Sequence, residues 1–414
     1  MTIDLNVIID TLWVVIASVL VFSMQAGFAL VESGFTRSKN AANIMMKNFC
    51  DYSIGALVFF VLGFSLMFNG SNFGLFGTPD WCISGDYSFL GLIIPFLAYV
   101  FFQTVFCSTS VTIVSGAVAE RMKFSTYLIF SAIMTALIYP ISGHWVWGGG
   151  WLAQLGFHDF AGSAVVHSLG GFAALAGVLL LGARRGKYNA DGSANTIHGH
   201  GLTLAAMGVF VLWIGWFGFN AGSTLTASDP EAIAHVMVTT NLAPAAATVT
   251  ALLVSWLKGK PSVDAAMNGA LAGLVGVTAG CDLVSPFGAI VIGVLSALVM
   301  MGGTYLLENK FKVDDAVGAI PVHGFCGVLG TILTGVLATS DGLLYGGGFH
   351  FFGIQVLGAV VIAIWGFASS YIAFVILKRT IGLRVTEEEE MKGLDLSEHG
   401  VSAYPGFKSD ESEF

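Results

Sequence analysis

"DFAGSAVVHSLGGFAALAG", residues 159–177, reads as the start of an apolar helix with an imidazole, His167, about two turns inside it. The stretch decides the fold because it occurs twice. Residues 315–327, "DAVGAIPVHGFCG", set Asp315, Gly318, Val322, His323 and Gly327 at the spacing of Asp159, Gly162, Val166, His167 and Gly171. Each histidine is expected roughly eight residues into its helix, roughly 12 Å along the axis and near the centre of a bilayer.

The rest of the chain supports a membrane setting. Of 414 residues, 55% are hydrophobic and only 10% charged, against roughly 25% charged in soluble domains. The 53 Gly and 33 Phe fit helices that meet through small residues and face lipid with large ones, and Gly269, Gly273, Gly276 and Gly280 have the spacing of such a contact. The opening "MTIDLN" has no basic residue, so the apolar stretch behind it is expected to be a first span rather than a cleaved signal.

Segments of spanning length fall near 7–33, 44–68, 89–117, 124–146, 161–183, 201–220, 232–257, 264–281, 287–307, 317–338 and 350–377. The connections 34–47, 118–123, 184–200, 258–263, 308–316 and the tail after 377 hold all 17 Lys and Arg. This alternation predicts eleven transmembrane helices, with the N-terminus outside and the C-terminus in the cytoplasm. The fold class expected is an all-α integral membrane protein. A transmembrane domain over 1–377 divides into repeat one, about 7–183, repeat two, about 201–338, and an eleventh helix, about 350–377. Five helices per repeat is an odd number, so the second repeat is inverted relative to the first, and a site is expected at the midplane between them. Residues 378–414 read as a charged, solvated extension in which Glu387 to Glu390 balance nearby Lys and Arg.

Two neutral imidazoles in contact can share one N–H···N bond and present a donor and an acceptor to a small polar guest. No third Cys, His or carboxylate is expected at that depth, so no metal site and no cofactor is proposed. Cys82 and Cys281 both fall near the expected outer face, where a disulfide stays open.

Toward that face "FFQTVF" puts Phe102 and Phe106 on one helix side, "GHWVWGGGW" supplies Trp147, and "GWFGFNAGS" supplies Trp216, Phe219 and Ser223. A belt of interfacial aromatics is the plain reading. Rings and a hydroxyl converging on one mouth point instead to a cage for a small cation, at about 0.5 to 2 kcal/mol per ring. Asp159 is expected to cap its helix and to favour cations nearby. A charged mouth, an apolar throat and midplane imidazoles imply a guest that arrives as a cation and crosses at least partly neutral, which ammonium can do by losing a proton.

"ESGFTRSKNAAN", "GAVAERMKFS", "GHWVWGGGW", "DFAGSAVVH", "GWFGFNAGS", "GLVGVTAGC" and "VHGFCGVLG" resemble segments of the ammonium transporter (Amt/Mep/Rh) family, in family order over nearly the whole chain. The resemblance implies an ammonium recruitment site at Phe106, Trp147 and Ser223 supported by Asp159. It implies a gate of Phe106 and Phe219, Trp216 lining the path, and a twin-histidine pair of His167 and His323. It further implies a homotrimer in the cell (inner) membrane, lying in the lipid bilayer as a multi-pass protein. The cytoplasmic C-terminal region, "GLRVTEEEEMKGLDLSEHGVSAY", would pack on neighbouring subunits and couple to a PII-type regulatory protein. The function expected is ammonium transport, with an ammonium sensor signalling through the tail as the competing expectation. No phosphate loop or nucleic-acid motif occurs, and no enzyme is expected.

Overall fold

The computed structural model describes residues 4–406. Among the described residues, ten helices are long and apolar enough to cross a membrane: α1 (Leu5–Phe35), α2 (Ser38–Phe68), α3 (Phe96–Ala117), α4 (Phe124–Gln154), α5 (Ser163–Leu181), α6 (Leu202–Thr224), α7 (Pro230–Leu257), α9 (Pro286–Lys310), α10 (Ile320–Leu337) and α11 (Phe349–Thr380). Between α7 and α9 lies α8 (Val263–Val277), the segment expected to span 264–281. Its 15 residues cover only about 22 Å, less than the apolar core of a bilayer. The helix α3 starts at Phe96 rather than at the expected 89, because Pro95 precedes its first turn and residues 88–90 form a separate short turn.

Small residues bring the helices together. A Cβ on Gly269 would lie 2.8 Å from Ala251 of α7, one on Gly276 would lie 2.2 Å from Ser296 of α9, and one on Gly280 would lie 2.4 Å from Thr334 of α10, so the expected glycine run is a packing stripe. Large side chains such as Leu12, Ile16, Phe22, Phe210, Ile364 and Ile372 cover the outside of the bundle, as a lipid-facing surface requires. Cys82 and Cys281 are both free, the first exposed and the second buried.

The most enclosed spans are α3, α5 and α10, and the last two cross in a reciprocal manner. A Cβ on Gly171 would lie 2.1 Å from the Gly324 nitrogen, and one on Gly327 would lie 2.8 Å from the Ser168 nitrogen. Each glycine is four residues beyond its own histidine and meets the residue just after the other histidine. Both helices also open on a wide π turn, Ser163–Ser168 and Ile320–Phe325. His167 and His323 therefore sit within the first helical turn rather than two turns in, because residues 159–162 and 315–318 are capped loops, not helix.

The basic connections meet at one end of the bundle. Arg37 pairs with Glu120 at 2.6 Å, and Arg184 pairs with Asp314 at 2.9 Å and approaches Glu120 at 3.7 Å. Arg121 is fully enclosed and donates to the carbonyls of Asp314, Gly182, Ala117 and Ala119. Burial alone would raise the Asp314 carboxyl, but the Arg184 guanidinium outweighs it and holds that carboxyl well below the usual carboxylate range.

Up to His399 the tail is not a solvated extension, while residues 407–414 of that expectation lie outside the described residues. Its helices α12 (Glu387–Lys392) and α13 (Leu394–His399) fold onto the same end, with Glu390, Leu394 and Asp395 buried. Glu390 accepts from the Arg185 backbone at 2.8 Å and from Arg384 at 2.7 Å. Asp395 accepts from the Ala42 and Asn43 nitrogens at 3.0 and 2.8 Å, near the start of α2. Glu398 accepts from Phe124 N at 2.9 Å, at the start of α4. Tail carboxylates thus supply the missing acceptors at two helix N-termini and complement their dipoles.

Replacing Asp395 by Ala is expected to cost about 1–2 kcal/mol at the α2 terminus and to speed amide exchange over residues 387–399. Unchanged exchange there would contradict the capping role. Asp314 sets a pH dependence: its folded carboxyl binds a proton less tightly than in the unfolded chain, so its stabilisation is complete above the unfolded value of about 4 and lost as pH falls. The melting temperature is expected to fall progressively as pH drops below about 4, and to fall less in Asp314→Asn.

Candidate functional site

At the end opposite the basic loops, a cavity of about 320 Å³ is lined by Phe102, Gln103, Phe106, Trp147, Phe160 and Ser223, among others. It sits where α4 breaks. The backbone turns at Trp147–Gly150, with Gly149 at φ 76°, and the Trp147 indole N–H donates to the Asp159 carbonyl at 2.8 Å, fixing the ring at the wall. Ser223 Oγ donates to the Phe219 carbonyl at 2.8 Å, which leaves its lone pairs to accept from a guest.

Asp159 is buried, and its carboxylate faces the backbone. It accepts from the Gly162, Ala164 and Val165 nitrogens at 3.0, 2.9 and 2.9 Å. Burial raises this carboxyl, and the three N–H groups only partly offset that. Asp315 does the equivalent at α10, accepting from Gly318 at 3.0 Å and Ile320 at 2.7 Å. Asp159 therefore shapes the site through the π turn of α5 and through its own carbonyl under Trp147.

Two phenylalanines close the floor of the cavity. Phe106 and Phe219 stack with centroids 4.0 Å apart and planes at 21°, and Phe102 lies 4.6 Å from Phe106. The Trp147 ring stands edge-on to Phe106 at 6.1 Å. Beneath this plug the His167 ring lies 5.4 Å from Phe219 and stacks on Trp216 at 4.8 Å. Trp216 is held by its indole N–H, which donates to Thr278 Oγ1 at 2.8 Å.

The imidazoles of His167 and His323 meet. Their Nδ1 atoms are 3.2 Å apart and the ring planes differ by 23°. At that distance one Nδ1 donates and the other accepts, so in neutral rings the two Nε2 atoms have opposite roles, one acceptor and one donor. His167 Nε2 is buried with no hydrogen-bond partner among the described residues. No cluster of three or more His, Cys, Asp or Glu able to hold a metal forms among the described residues.

Of the nine expected residues, Phe102, Phe106, Trp147 and Ser223 line the cavity, Phe219 stacks on Phe106, and Trp216, His167 and His323 follow through ring contacts, whereas Asp159 faces the backbone behind them. Sequence reading missed Gln103 and Phe160 in the cavity wall, the Thr278 anchor, and Phe28, whose ring lies 5.9 Å from His323. Only Gln103, a lone amide inside "FFQTVF", left a signal in the sequence.

A family model described as "Ammonium Transporter Family" matches residues 12–404. The chain belongs to the ammonium transporter family. It is 47% identical to the ammonium transporter Amt2 of Archaeoglobus fulgidus over 98% of this chain and 90% of that one. It is 37% identical to an ammonium transporter of Bacillus subtilis over 95% and 98%. Among solved structures, a chain described as "Sensor Amt Protein" superposes with TM-score 0.91 at 42% identity, covering 95% of this chain and 99% of that one. Candida albicans Mep2 superposes with TM-score 0.87 at 31% identity, over 99% and 94%. The family is one of transporters, and this member is a multi-pass membrane protein.

Replacing Asp159 by Ala would leave three N–H groups at the α5 start without acceptors and is expected to cost at least about 2 kcal/mol. Asp159→Asn, which keeps one oxygen, is expected to lose less. Equal melting temperatures for all three proteins would contradict this bracing role.

Proposed function

We propose that this ammonium transporter recruits NH4+ in the aromatic cavity, strips a proton at the phenylalanine plug, and conducts NH3 past His167 and His323. The observation that carries the reading is the Nδ1–Nδ1 contact directly behind that plug. In the cavity, Phe106 and Trp147 offer ring faces and Ser223 an acceptor, a set that favours a small N–H cation. The plug and the apolar throat penalise net charge, so the deprotonated form is the one that passes. The neutral imidazoles then hydrogen-bond the guest, which an alkali ion cannot reciprocate. The proton returns to the outer side or follows a separate relay.

The basic end of the bundle faces the cytoplasm in this reading, with the N-terminus outside and α8 completing an eleven-helix, inverted-repeat plan over residues 1–377. The reciprocal α5–α10 crossing supports that symmetry. Three copies assemble in the cell (inner) membrane, and residues 378–414 form the cytoplasmic regulatory region to which a PII-type protein couples.

A sensor is the second reading, favoured by the similarity to the chain described as "Sensor Amt Protein" and by a tail seated on α2 and α4. Growth of a transport-deficient strain on low ammonium separates the two: complementation supports conduction, and ammonium binding without growth supports sensing.

Ammonium-driven currents on solid-supported membranes test the pathway. His167→Ala and His323→Ala are each expected to cut ammonium-specific current at least tenfold or to admit potassium, and Trp147→Leu to shift the half-saturating ammonium concentration. Wild-type behaviour in both histidine variants would overturn the proposal.

A further inference from the structure

Residues 157–161, the strap between α4 and α5, carry Phe160 into the wall of the outer cavity. On one side α11 holds the strap. The His158 backbone N–H donates to Gln355 Oε1 at 2.8 Å, and Gln355 Nε2 donates back to the His158 carbonyl at 2.7 Å. The Phe157 ring fills the space beside Gly358, where a Cβ would lie 2.2 Å from it. On the other side the connection after α8 holds the strap at three places. Phe160 N donates to the Ala279 carbonyl at 2.9 Å, Ala161 N donates to the Thr278 carbonyl at 3.3 Å, and His158 Nε2 donates to Asp282 Oδ1 at 3.0 Å. Thr278 is also the residue that anchors Trp216. The His158 ring lies nearly parallel to that of Phe160, with planes at 21° and centroids 6.3 Å apart.

Of these three contacts to the connection, two are backbone bonds and the third titrates. Burial alone would lower the pKa of the His158 ring, but the hydrogen bond and charge of Asp282 outweigh it and push the ring above its ordinary value. The charged groups acting on the ring are Asp282, across the connection, and Asp159, next in the chain, whose carboxylate is turned to the α5 backbone. From α11 the strap meets the uncharged Gln355. A neutral ring can still donate from Nε2, but the bond then loses the charge assistance that about doubles its strength. We propose that His158 is a positioning residue for ammonium recruitment: its ion pair with Asp282 holds Phe160 in the cavity wall, so binding in the cavity weakens when the ring loses its proton. The pair is complete below the unfolded histidine value of about 6.5 and is lost as pH on the cavity side rises through the higher folded value. The charge then left on Asp282 would draw a cation in the opposite sense, but the Asp282 side chain is 20% exposed and that of His158 29%, so water screens it. The proposal rests on the recruitment reading above and adds two residues that lie outside the rings and imidazoles named there.

The test uses the full chain in proteoliposomes, with His158→Gln and Asp282→Asn, each of which keeps a hydrogen-bonding group and removes the charge. Hydrogen exchange at the Phe160 and Ala161 amides, taken relative to the free-chain rate at each pH, is expected to quicken about fivefold from about pH 5.5 to about pH 8.5 in the wild type and to stay level in both variants. With ammonium chloride as probe, the half-saturating NH4+ concentration is expected to rise over the same range about threefold more in the wild type than in either variant. A contact that was merely structural would shift both quantities equally at every pH. Wild-type exchange that stays level with pH, or half-saturation profiles that coincide in all three proteins, would overturn the proposal. Absence of ammonium current in the wild type would refute the transport reading alone, because the exchange profile still decides whether the ion pair holds the strap.

Discussion

The structure depends on how closely α5 and α10 approach at their crossing. Hydrogen-bond contact between two imidazoles carried on different helices demands backbones nearer than ordinary side chains permit. Gly171 against Gly324 and Gly327 against Ser168 provide that approach, and each is placed by its own histidine. The π turns serve the same end. In α5 the His167 nitrogen bonds to the Gly162 carbonyl five residues back, at 3.0 Å, which widens the turn that carries the ring. Asp159 and Asp315 then tie down the freed N–H groups at each start. Histidine contact, glycine crossing, wide turn and carboxylate cap form one unit, used twice.

Around this unit the two ends of the bundle differ in kind. One end is aromatic and encloses a cavity whose rings are fixed by indole hydrogen bonds to Asp159 and Thr278. The other is ionic, with Arg37, Glu120, Arg184 and Asp314 joined in a buried network and the tail packed onto it. Because Asp395 and Glu398 reach the starts of α2 and α4, displacement of the tail would expose N–H groups on two spans at once. A partner that competes for the tail therefore acts on the helices and not merely on a surface extension.

The sequence made the line of site residues legible because its signals were compositional and repeated. An imidazole in an apolar run, doubled at fixed spacing with Asp and Gly, stands out from any background, and the partition of Lys and Arg marked helix ends except at α2, which starts at Ser38 and holds Lys47 buried within it. What stayed hidden depended on three-dimensional closeness without periodicity. Glu32, Lys47 and Asp51 are all buried and are marked by neither the repeat nor the aromatic pattern. Phe28 is one apolar residue among many on α1. The π turns carry no residue code, and the run of turns that ends α8 at Val277, short of the expected 281, has none either. Tail docking was missed for a related reason, since a run of four glutamates reads as solvated until the arginines and helix starts facing it are known.

Nitrogen-15 NMR on the histidine-labelled protein in lipid addresses the shared imidazole bond most directly. The account predicts two Nδ1 resonances coupled to each other across an N–H···N bond between His167 and His323, with the coupling lost when Gly327 is replaced by Ala. Two uncoupled resonances in the unaltered protein, each behaving as an isolated imidazole, would contradict it.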